Sequence, residues 1–265
     1  MDRFGEIAPD VHCLGPHGRT QTNVYLVRSD HAWVLIDAGW RGDLDRIEAA
    51  VSELVADAPA AIVLTHDHPD HAGAARVLAE RWGCRVFVHP AELPIARGSF
   101  AAMWRNAGPL DRYLILPAIS ALGRRRRDAL LERDSLAPMV DALEPDGAVP
   151  HLPDWRWVHT PGHTPGHVSF FREADGVVIT GDALVTLEVN TLGGIVRGRQ
   201  GLSGPPWYTT ADAAAARASI ARIAELEPRV LASGHGHPLT GPGTAERLHE
   251  FADGHRRPPA RRPDR

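Results

Sequence analysis

Residues 65–71 read Thr65-His66-Asp67-His68-Pro69-Asp70-His71, three histidines and two aspartates within six positions, followed by Ala72-Gly73. On a helix, positions two apart point about 200° from each other, so His66 and His68 would not share a ligand there. In an extended loop at the end of a strand they can, and Asp67 and Pro69 favour a loop. Asp70 and His71 then open the next helix, where an aspartate is favoured. Imidazoles and carboxylates at this density are costly to hold together unless a cation neutralises them. Metal binding is the chemistry that the pattern offers.

More polar groups stand where apolar runs end. Asp37 closes Leu35-Ile36-Asp37-Ala38-Gly39. His163 and His167 lie in Pro161-Gly162-His163-Thr164-Pro165-Gly166-His167, Asp182 follows Gly181, and His235 and His237 lie in Gly234-His235-Gly236-His237. Each has a glycine nearby, which lets the backbone approach closely. Loops at strand ends are the usual way a rigid scaffold builds a site. Spacing alone does not choose His163 over His167, or His235 over His237.

The elements that must position these groups are legible as short apolar runs at 23–27, 32–36, 61–65, 85–88, 155–159, 168–171, 177–180 and 229–232. Near-continuous apolar character marks strands buried on both faces. Three helical faces lie between them: Leu44, Ile47, Val51 and Leu54; Ala75, Leu78 and Trp82; and Ala216, Ile220 and Ile223. Helices interleaved with buried strands predict an α/β fold, with sheet packed on sheet and helices outside. The pattern breaks at 91–143, a segment of helical character interrupted by Gly98, Gly108 and Gly123, which reads as an insertion, either a lid over the site or a small core of its own. One domain is expected over 1–252. The Arg- and Pro-rich stretch 253–265 is expected to be disordered.

Composition narrows the classes. The 265 residues carry 29 basic and 33 acidic side chains, a formal charge of -4 that does not favour a nucleic-acid partner. No run approaches the roughly 18–20 apolar residues of a membrane span. Cys13 and Cys84 build neither a disulfide framework nor a thiolate zinc site. With no apolar signal-peptide core in residues 1–6, a cytoplasmic location is expected. Every side-chain cation of the Lys/Arg kind is arginine, which removes Schiff-base and phosphate-loop lysines.

The ordered set Leu35-Ile36-Asp37-Ala38-Gly39, His66-x-His68-x-Asp70-His71, Pro161-Gly162-His163-Thr164-x-Gly166-His167, Gly181-Asp182 and Gly234-His235 resembles the metallo-β-lactamase-fold hydrolases, of the glyoxalase II-like or lactonase-like branch. The resemblance covers about residues 20 to 240. It implies a four-layer αβ/βα sandwich with two adjoining metal sites at one edge. His66, His68 and His163 would hold the first metal, and Asp70, His71 and His235 the second. Asp182 would bridge them, with Asp37 supporting the ligand loop. His167 and His237 are assigned supporting roles. The ligand set suits two zinc ions per chain, and also iron or manganese. The implied activity is attack on an ester, thioester or lactone carbonyl by a metal-bridging hydroxide, with Asp70 orienting it or passing on a proton. The alternatives are a one-iron persulfide dioxygenase and a metal-binding protein without turnover.

Several positions depart from particular branches. Asp182 stands where one class of true β-lactamases has Cys, and Val185 where quorum-quenching lactonases have Tyr. His68 stands where flavin-linked diiron reductases have Glu. The thioester hydrolases for glutathione conjugates use a longer, basic C-terminal region; with few residues after His235 and no lysine, a glutathione conjugate is not the expected substrate. Candidate substrate contacts are Trp104 and Tyr113 in the insertion, Glu188 and Asn190 after Asp182, and Trp207 with Tyr208. The run Arg124-Arg125-Arg126-Arg127 reads as a solvated helix face paired with Asp128, Glu132 and Asp134. A small molecule is the expected partner, neither nucleic acid nor membrane is, and a homodimer stays open.

Overall fold

The structure, a computed structural model, describes residues 3–30 and 32–256. The chain first lays down seven strands that pair in sequence order: β1 (Gly5–Ala8), β2 (Val11–His17), β3 (Thr22–Ser29), β4 (Ala32–Ile36), β5 (Ala61–Val63), β6 (Arg85–Val88) and β7 (Val140–Ala142). The first four are antiparallel, as short turns allow. From β4 to β7 the strands are parallel, because helical crossovers return the chain to the same edge. The crossovers include α1 (Leu44–Leu54), the single turn α2 (Pro69–Ala72) and α3 (Ala75–Trp82). Ile47 and Val51 of α1 and Leu78 of α3 are buried against the sheet. Leu54, expected on that face, is 39% exposed at the helix end.

The helical excursion holds α4 (Leu93–Ala96), α5 (Phe100–Asn106), a π-helical turn at Asp111–Ile115, α6 (Leu116–Ala121) and α7 (Arg124–Asp134). It ends before β7, which completes the first sheet, so it is narrower than the span 91–143 read from sequence.

The second sheet takes β8 (Ala148–Val149), β9 (Leu152–His159), β10 (Val168–Arg172) and β11 (Val177–Gly181), then β14 (Val230–Ser233) and β15 (Leu239–Thr240). Between them lie the ribbon β12 (Val185–Leu187) with β13 (Gln200–Ser203), and the helices α8 (Leu192–Arg197) and α9 (Ala213–Ala224). The last helix, α10 (Thr244–Arg256), packs on α9. Residues 253–256, expected to be disordered, continue this helix; the rest of that stretch, 257–265, lies outside the described residues.

Three clusters of buried side chains define four layers. Val34, Ile36 and Val63 of the first sheet meet Trp155, Phe170 and Ile179 of the second. Leu35 and Ile62 face α1 and α3. Val178 and Leu231 face Ile220, Ile223 and Leu248 of α9 and α10. This is the αβ/βα sandwich. Tyr25 of β3 donates its hydroxyl to the Ser233 carbonyl of β14 (2.6 Å), a buried polar tie between the sheets.

Candidate metal centre

The ends of β4, β5, β11 and β14 and the loop before β10 converge at one edge of the sandwich. There the side chains fall into overlapping groups whose ligand atoms lie within 4.8 Å of one another: His66, His68 and His163; His66, His71 and Asp182; and Asp70, His71 and His235. Asp182 divides its carboxylate. Oδ2 lies 3.4 Å from His163 Nε2, while Oδ1 lies 3.3 Å from His71 Nε2 and 3.2 Å from His235 Nε2. Asp70 Oδ2 adds a second oxygen 3.4 Å from His235 Nε2.

The outer nitrogens explain why the inner ones face the centre. Asp37 accepts from the Thr65 amide (2.8 Å), from the Thr65 hydroxyl (2.9 Å) and from His71 Nδ1 (2.7 Å). Having given its proton to Asp37, the Thr65 oxygen accepts from His66 Nδ1 (3.0 Å). His235 Nδ1 donates to the Thr20 carbonyl (2.8 Å). Thr210 donates to the Pro206 carbonyl (2.7 Å), which leaves its oxygen to accept from His163 Nδ1 at 3.4 Å. In all four imidazoles Nδ1 donates outward, which turns Nε2 to the centre. Such partners fix both tautomer and ring orientation of a ligating histidine. Asp37 does this from a left-handed backbone (φ 60°), a conformation sparsely used outside glycine.

His66 Nε2, His71 Nε2, His163 Nε2 and Asp182 Oδ1 are buried without a hydrogen-bond partner among the described residues. Buried polar atoms rarely go unpaired, and four aimed at one another fit metal ions. Electrostatics agree. Burial holds His66 and His163 well below the ordinary imidazole value, helped by neighbouring imidazoles. Burial opposes charge on His71 and His235 as well, but carboxylates outweigh it and raise both: Asp37 and then Asp182 for His71, Asp182 and then Asp70 for His235. Burial likewise disfavours the Asp182 carboxylate, and His235 and His71 overcome it, keeping that group ionised. Close approach is built in at Gly234, where a Cβ would stand 2.5 Å from Asp182 Oδ1 and 2.8 Å from His71.

The two pairs that spacing left open separate here. His167 links the ends of β9 and β11: its Nε2 accepts the Asp182 amide (3.0 Å) and its Nδ1 meets the Thr160 hydroxyl (2.9 Å). Burial lowers its pKa to about 3, which keeps the ring neutral and able to accept. His237 is exposed, and its amide donates to Gln200 Oε1 (2.9 Å).

The substrate candidates scatter. Tyr208 is brought towards the centre: burial, then the charges of Asp182 and Asp70, raise its phenol pKa. Trp207 stands edge-on to Tyr208 and is 64% exposed. Asn190 accepts the Trp207 amide (3.0 Å) and donates to the Gly204 and Pro205 carbonyls, so it holds that loop. Glu188 pairs with Arg199 (3.3 Å). Trp104 packs edge-on against Phe100, whose ring lies under the Arg127 guanidinium, and Tyr113 is 79% exposed.

Sequence reading did not find Glu92. It is fully buried just before α4, where Oε1 accepts the Gly166 amide (2.8 Å) and Oε2 the Asp67 amide (3.2 Å). One side chain thus ties together the loops that carry His66, His68 and His163. Asn23 braces the His235 loop in the same way, donating to Ser233 and Gly236 carbonyls. Neither stands in a local motif that would have signalled it.

The family model of the metallo-β-lactamase superfamily matches residues 17–235. The chain is 36% identical to the probable metallo-hydrolase YflN of Bacillus subtilis over 246 residues, 90% of each chain. It is 28% identical to the hydroxyacylglutathione hydrolase GloC of Haemophilus influenzae, over 62% of this chain and 67% of that one. Among solved structures it is similar to TTHA1623 in a di-iron-bound form, with 30% identity and a TM-score of 0.53 over 84% of this chain and 92% of that one. The chain belongs to the metallo-β-lactamase superfamily and is a metal-dependent hydrolase.

Proposed function

We propose that the chain is a two-metal hydrolase of carboxylic esters, thioesters or lactones. The observation that carries this reading is the divided Asp182 carboxylate, one oxygen towards His163 and the other towards His71 and His235. His66, His68 and His163 would hold one ion, and Asp70, His71 and His235 the other, with Asp182 shared. Zinc suits the imidazole and carboxylate donors, as iron does. When bound, the ions supply Lewis acidity, which activates water and polarises a carbonyl near neutral pH.

The chain's own residues do the rest. Asp70 is 18% exposed at its side chain, where its carboxylate can accept the proton of the attacking water and return it to the leaving group. Tyr208, half-buried near Asp182 and Asp70, carries a phenol that can donate to a substrate oxygen. Both ligand groups are intact, which favours this reading over a one-iron dioxygenase. The thioester arm draws on the likeness to GloC.

The test is turnover of an acetyl ester, a thioester and a lactone by the zinc-loaded chain. We expect hydrolysis of at least one class, abolished by a chelator and restored by zinc. No turnover of any class with metal bound would contradict the proposal.

A further inference from the structure

Ile95 of α4, Met103 of α5, Leu116 and Ile119 of α6, and Leu130 and Leu131 of α7 line one cavity of about 360 Å³. Met103, Ile119, Leu130 and Leu131 are only half-buried, and none belongs to the clusters that hold the sheets. Apolar side chains from four helices therefore face a shared space instead of one another. Its size falls within the range of small-molecule sites. At roughly 30 Å³ per water-sized group, it takes about ten such groups.

The opposite wall belongs to the metal centre. His68, whose ring lies 4.6 Å from that of His163, lines the cavity together with Asp67 and Thr164. The Thr164 hydroxyl is buried without a hydrogen-bond partner among the described residues, so a donor waits at the polar end. The cationic lining groups Arg41 and Arg133 each pair with Asp134, at 3.1 and 2.7 Å. Asp67 and Asp111 add carboxyl groups, which offer no positive charge to hold an anion inside. An uncharged apolar chain is what this lining accepts.

The geometry points to an acyl pocket: the cavity takes the apolar acyl chain, of about eight to ten carbons, of a substrate whose carbonyl lies at the metal centre. This inference rests on the hydrolase reading and names its substrate class.

Calorimetric titration of the zinc-loaded chain with decanoate and with butyrate tests it, because the two share a head group and differ only in chain length. Decanoate should bind at least tenfold more tightly. Ile119→Trp, which fills the cavity from α6, should remove that advantage; Leu130→Trp on α7 serves if the first variant does not fold. Equal binding of the two acids, or an undiminished advantage in a folded tryptophan variant, overturns the pocket. Cleavage of an acetyl ester without tighter decanoate binding would leave the hydrolase and sink the pocket. Tighter decanoate binding with no ester, thioester or lactone cleaved would leave the pocket and sink the hydrolase.

Discussion

Asp37 touches none of the converging Nε2 atoms, yet two of them depend on it. Its Oδ2 takes the His71 Nδ1 proton, and through the Thr65 hydroxyl it also sets His66. Asparagine tolerates the left-handed backbone at this position, so Asp37→Asn isolates the charge from the backbone conformation. The expected outcome is a folded protein that binds metal about 10–100-fold more weakly. Titration with a competing chelator checks it, and an unchanged affinity would contradict the role. Histidines, aspartates and glycines packed into short runs made these residues visible in the sequence. Glu92 was not, because it stands 25 residues from Asp67 and 74 from Gly166 with no signal of its own. Tyr208 was visible only as an aromatic after a proline pair; its closeness to Asp182 is a matter of folding.

At the scale of elements, the ligand loops are held by contacts that no local pattern encodes. Glu92→Ala would leave the buried amide of Gly166 and that of Asp67 without an acceptor. A loss of about 1–3 kcal/mol is expected from orphaning such groups, read from urea denaturation. A loss within error of zero would show that the clamp is not needed. The strands at 32–36, 85–88 and 168–171 were legible because burial on both faces leaves near-continuous apolar runs. Strand β2 was not, since Gly15 and Pro16 interrupt it, and β7, β8 and β15 are too short for a period to show. Helix α10 was not among the helical faces legible in the sequence, and its last residues, Asp253, Gly254, His255 and Arg256, carry the polarity of a tail, although Leu248 and Ala252 anchor it against α9.

For the molecule as a whole, two observables follow. The first is acid sensitivity. Burial, and next His159 stacked at 4.4 Å, lowers the His89 pKa to about 4 from 6.5. The unfolded chain takes up a proton near 6.5, which the folded chain refuses until about pH 4. The unfolded state thus binds more protons in that window, and stability falls as pH drops through it. His167, lowered to about 3, acts in the same direction. His89→Asn, which keeps an acceptor for the Ala91 amide, should flatten the decline between pH 6.5 and 4 in thermal melts. Parallel declines in the two proteins would contradict this. The second observable is metal content, because the proposed pair of ligand sets draws on two sheets, four strand ends and two clamped loops. Elemental analysis of the purified chain after growth with zinc tests this most directly. The expected result is two metal ions per chain, falling by at least one in Asp182→Ala. One ion per chain in the parent, or two retained without Asp182, would contradict the shared carboxylate and with it the two-metal hydrolase.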